Sequence, residues 1–111
     1  MSQKISKECL THAVKLINCQ FNLNLTIKEK GESYTIAPEN DITQLEGVYI
    51  SIEKSKNGYS LNIENADNRL SLDKFSKIVG KTLESFSMVL EDDALCDIPS
   101  ILCKLAKIIW S

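Results

Sequence analysis

Apolar residues recur at helical spacing at the start of the chain, at every second position through its middle, and at helical spacing again towards its end. The first run is Ile5, Cys9, Ala13, Leu16 and Ile17, broadened by Leu10 and Val14, and it predicts a helix from about Gln3 to Asn18. Ser2 stands where its hydroxyl would cap the first free amides, and Lys4, Lys7, Glu8, Thr11 and Lys15 form the wet side. Phe21, Leu23, Leu25 and Ile27 then alternate with polar residues, the mark of a half-buried strand. Residues 28–33 read as a polar turn, and Tyr34 and Ile36 begin a second strand. Pro38 should stop it, because proline cannot donate to a ladder. Residues 39–46 read as a loop.

Val48, Ile50 and Ile52 predict a third strand, and Tyr59, Leu61 and Ile63 a fourth. Asn57-Gly58 between them is a strong signal for a tight hairpin, with both residues expected at the positive φ of a type I′ turn. Ser51, Glu53, Ser60, Asn62 and Glu64 should point away from the core, towards water. Ser71 is the expected cap of a second helix, whose stripe is Leu72, Phe75, Ile78, Val79, Leu83 and Phe86. Gly80 weakens that helix by roughly 1 kcal/mol relative to alanine, although the stripe runs past it. Residues 87–90 fit either a last helical turn or a short edge strand. Asp97 is the expected cap of a closing helix with Pro99 in its first turn, followed by Ile98, Ile101, Leu102, Leu105, Ile108 and Ile109 in helical rhythm. Lys104 and Lys107 lie where positive charge favours the helix dipole. The reading is a single α+β domain over residues 1–111: a two-layer sandwich with an N-terminal helix, an antiparallel four-stranded meander and two C-terminal helices.

Composition narrows the function. The 111 residues carry 13 Lys+Arg and 15 Asp+Glu with no basic stripe, which argues against a nucleic-acid partner. No stretch resembles a signal peptide or approaches the length of a membrane span, so a cytoplasmic protein is expected. In that compartment Cys9, Cys19, Cys96 and Cys103 are expected as free thiols, three of them on apolar helix faces. The sequon Asn24-Leu25-Thr26 is then silent.

Catalytic patterns are missing. His12 is the single histidine and no nucleophile elbow accompanies it. Cys9 and His12 share a helix face and could seed half a zinc site, but Cys96 and Cys103 lack knuckle spacing. Glu91, Asp92, Asp93 and Asp97 lack the order of a calcium loop and read as an acidic turn before a helix. The four glycines make no phosphate cradle. A chain that is not an enzyme and takes no cofactor or metal is the expectation.

The closing helix is apolar over a wide arc, and Trp110 follows it. Trp110 is either an interface anchor or the closure of the core edge. Leu102, Leu105, Ile109 and Trp110, with Phe75 and Val79 of the second helix, are the candidate partner-binding residues. The order of elements, with residues 86–93 followed by Ile98-Pro99-Ser100-Ile101-Leu102, resembles the ending of class I type III secretion chaperones, and residues 1–25 resemble their opening. The resemblance implies a homodimer or heterodimer around which an extended segment of a secreted protein winds by strand addition. The competing expectation is an immunity protein or inhibitor that occludes a toxin or enzyme.

Overall fold

A computed structural model describes residues 7–40, 42–56, 58–66, 69–90 and 97–111. Its elements are α1 (Lys7–Phe21), β1 (Leu25–Lys30), β2 (Ser33–Pro38), β3 (Tyr49–Ser55), β4 (Gly58–Glu64), α2 (Leu72–Val79), β5 (Ser87–Leu90) and α3 (Ile98–Ile109). The five strands form one antiparallel sheet in the order β1-β2-β3-β4-β5, so strands that are successive in sequence are adjacent in space. The expected α+β architecture holds, with five strands in place of four.

Register explains which residues form the core. Ile27 lies opposite Ile36, Ile36 opposite Ile50, and Ile50 opposite Ile63. A second row runs Tyr34, Ile52, Leu61, Met88. Directly opposed residues share a sheet face, so the aliphatic residues make one continuous surface. The three helices cover it: Leu10, Val14 and Ile17 from α1, Phe75 from α2, and Ile101, Leu102, Leu105 and Ile109 from α3 join the same buried cluster. The other face carries the row Lys28, Thr35, Ser51, Asn62, Ser87 across all five strands. Ser51, expected to meet water, is only 8% exposed, because Thr35 and Asn62 flank it and its hydroxyl donates to Glu53 at 3.4 Å.

Helix ends account for several departures from the pattern. In α1 the buried stripe is Leu10, Ala13, Val14 and Ile17, whereas Leu16 and Cys9 are exposed. The expected stripe was rotated too far towards Leu16, which lies about 100° round the helix from Ile17. Ser2 and Ile5 lie outside the described residues. The helix runs on to Phe21 and stops at Asn22, whose φ of 56° is left-handed. Phe21 and Leu23 therefore belong to the helix end and connector, and β1 begins only at Leu25.

Ser71 caps α2 as expected, its Oγ accepting from the Lys74 N–H at 3.1 Å. The helix does not run past Gly80, however. That residue adopts φ 74° and donates to the Ser76 carbonyl at 2.9 Å, a left-handed stop. The Ser76 hydroxyl then accepts from the Leu83 N–H at 3.1 Å, turning the chain so that Phe86 stacks on Phe75 with ring centroids 6.0 Å apart. The Phe86 carbonyl accepts from Ile63 N–H at 2.8 Å and delivers residues 87–90 to β4 as an edge strand. Asp97 makes no side-chain cap to α3, because its backbone is already helical at φ −94°, ψ −3°, whereas Pro99 does sit in the first turn. The β3–β4 turn is displaced by one residue: Ser55 pairs with Gly58, so Gly58 opens β4 at φ 131° instead of forming the turn. Asn57 lies outside the described residues.

Candidate functional site

The six partner-binding candidates divide by burial. Leu102, Leu105, Ile109 and Phe75 are buried by the chain's own sheet and helices, so they hold the fold together and are not surface in this form. The reason is geometric: α3 touches both α1 and α2, and its wide apolar arc joins the sheet residues in one buried cluster. Val79 and Trp110 are half-buried against the same core. Trp110 stands over a small hollow with Gly47, Val48 and Arg69. Arg69 donates from Nη1 to the Ile109 carbonyl at 3.1 Å, placing a cation at the C-terminal end of α3.

The cysteines fall differently from expectation. Cys9 and Cys19 are exposed on α1, and Cys103 is half-buried, donating to Gln20 Oε1 at 3.7 Å. Cys9 thus belongs to the wet side of its helix and not to an apolar face. Cys96 and the acidic residues Glu91, Asp92 and Asp93 lie outside the described residues. His12 is exposed on α1, and among the described residues no cluster of three or more His, Cys, Asp or Glu is placed to hold a metal ion. No helix among the described residues is long and apolar enough to cross a membrane.

The sheet edges were not singled out by the hydrophobic pattern, yet they carry the most distinctive chemistry. A strand at the end of a sheet offers one row of unpaired N–H and C=O groups. β5 is one edge: four residues long, paired with β4 only among the described residues, with Val89 61% exposed on the open face.

β1 is the other edge and is six residues long. The Glu39 N–H donates to Asn24 O at 2.8 Å, so Asn24 directs its carbonyl towards β2. Peptide groups alternate along a strand; those of Leu25, Ile27 and Glu29 therefore face outwards. Asn18 of α1 engages the first of these with both ends of its amide. Its Nδ2 donates to Leu25 O at 3.0 Å, and its Oδ1 accepts from Leu25 N–H at 2.9 Å. The side chain occupies the place a neighbouring strand would take, at Leu25 alone.

Between α1 and this edge runs a groove of about 310 Å³, with Val14, Leu25 and Ile27 in its floor and Lys7 and Lys15 on its helical rim. Lys28 and Lys30 flank the same strand on the open face. Glu29, on the opposite face from these lysines, is hydrogen-bonded to the Tyr34 hydroxyl. Burial, then the charge of Glu29, raises the Tyr34 pKa above its ordinary 10.0.

No protein-family model, no curated protein and no solved structure matches the chain.

Proposed function

We propose that this chain is a non-catalytic protein-binding module that holds an extended segment of a partner protein by strand addition, in the manner of the secretion chaperones its element order resembles. The observation that carries the reading is the one-sided pairing of both end strands: among the described residues β1 bonds only to β2, and β5 only to β4. An extended segment satisfies such an edge with main-chain hydrogen bonds, while alternate side chains supply selectivity. The open sheet face and the exposed Val89 beside β5 add surface for contact. In this reading the module works in the cytoplasm, as a homodimer or heterodimer, and needs no metal or cofactor.

The test is affinity capture from the native host with the partner identified, followed by binding of overlapping peptides that tile that partner. A linear segment of ten or so residues should retain most of the affinity. Recognition of the partner only as an intact folded domain would refute strand addition and favour an inhibitor of the immunity-protein kind.

A further inference from the structure

The geometry points to the outer edge of β1, with the groove beneath α1, as the docking site for an extended acidic segment that adds to the sheet as a sixth strand. The inference rests on the strand-addition reading and specifies which edge serves and what chemistry the occupant has. Three observations converge. First, this edge is longer than β5, six residues against four. Second, Asn18 already makes the pair of hydrogen bonds that an added strand would make at Leu25. It therefore fixes where docking ends and leaves Ile27 and Glu29 as the next outward peptide groups. Third, the groove has an apolar floor with Lys7 and Lys15 on its helical rim, and Lys28 and Lys30 stand along the open face of the same strand. The carboxylate between them, Glu29, lies on the opposite face of β1, the side on which the apolar residues of an occupant would lie.

Alternation makes the occupant specific. In an added strand every second side chain would enter the crease formed by Val14, Leu25 and Ile27, and the intervening ones would project over Lys28 and Lys30. An apolar–acidic alternation fits both. A second copy of this chain does not, because pairing two β1 edges would set lysine against lysine, the usual means by which an edge strand resists self-pairing.

The probe is a fluorescein-labelled decapeptide of alternating valine and glutamate, compared with a valine–lysine counterpart by fluorescence anisotropy on the full chain. The glutamate peptide should bind at least tenfold tighter, more weakly as salt rises, and should slow hydrogen exchange at the Ile27 and Glu29 amides. Lys28→Glu with Lys30→Glu alters only exposed side chains and should abolish or reverse the preference. Equal binding of the two peptides, no binding at millimolar concentration, or protection at Ser87 and Val89 instead would overturn the assignment. Failure of the groove is distinguishable from failure of the functional reading. A captured partner segment lost with Val89→Pro but indifferent to the lysine reversals leaves strand addition intact and moves it to β5. A partner that binds only when folded removes strand addition altogether.

Discussion

Replacing Asn18 with alanine tests the link between α1 and the sheet edge most directly. The substitution removes two hydrogen bonds, at 3.0 and 2.9 Å, that span seven residues between the helix and the first residue of β1. A net contribution of roughly 0.5–1.5 kcal/mol per bond is typical, and water can re-solvate an edge position in part, so the combined loss should be about 1–2 kcal/mol. For a chain of 111 residues the unfolding entropy converts this into a drop of about 4–8 °C in Tm. Asn18→Asp sharpens the test. It retains an acceptor for the Leu25 N–H but sets a carboxylate oxygen against the Leu25 carbonyl. At neutral pH it should be at least as unstable as the alanine variant. Protonation restores a donor, so the deficit should shrink as pH falls through the carboxylate range near 4. Differential scanning fluorimetry between pH 3.5 and 8 measures both. An alanine variant melting within about 1 °C of the parent would refute the clamp, as would an aspartate deficit that does not change with pH. If the clamp is real, Asn18→Ala also uncovers the Leu25 peptide groups and should strengthen binding of the valine–glutamate peptide despite the loss of stability.

Leu105→Ala should cost about 2–5 kcal/mol, because Leu105 is 0% exposed and belongs to the buried cluster between the helices and the sheet. Trp110→Ala should cost less in chemical denaturation, since that ring is only half-buried; a larger loss than for Leu105 would make Trp110 the keystone of the C-terminal helix. Gly58→Val should destabilise by about 1–2 kcal/mol, because φ is 131° and an added Cβ would stand 3.4 Å from the Leu90 carbonyl; an unchanged urea midpoint would refute this account of the β3–β4 junction. The raised Tyr34 pKa means the folded state holds its proton more tightly than the unfolded chain. Stability should therefore be flat below about pH 10 and fall as pH rises beyond it, an alkaline loss that Tyr34→Phe should reduce in urea titrations.

Much of the architecture was legible because burial follows periodicity. Ile50, Ile52, Leu61 and Ile63 face one way simply because strands alternate, and the register confirms it. Ser71 was readable as a cap from its place before an apolar stripe. What escaped depended on local dihedrals or on neighbours distant in sequence. Gly80 could have been a tolerated helical glycine; only the left-handed turn that Ser76 organises makes it a stop, and that stop frees residues 87–90 to become a strand. The wide apolar arc of α3 suggested a partner because the number of elements packing on it is a tertiary property. The candidate edge site was the least visible. Asn18 and Leu25 are unremarkable residues in a line of text, and the lysines and the apolar floor of the groove come from a helix and a strand that meet only in the fold.

The meander has a consequence for how the chain acquires its shape. β2, β3 and β4 can each pair with the strand before them through a local connection, so the sheet can grow by successive closures at small entropic cost. Seating α1 against α3 is different in kind, because those contacts join the two ends of the chain and close its longest loop. The sheet should consequently be well structured in the folding transition state, with the α1–α3 contacts forming late. Substitutions at that helical interface would then act chiefly on the rate of unfolding. Kinetic lifetime and folding speed would reside in separate parts of one small molecule.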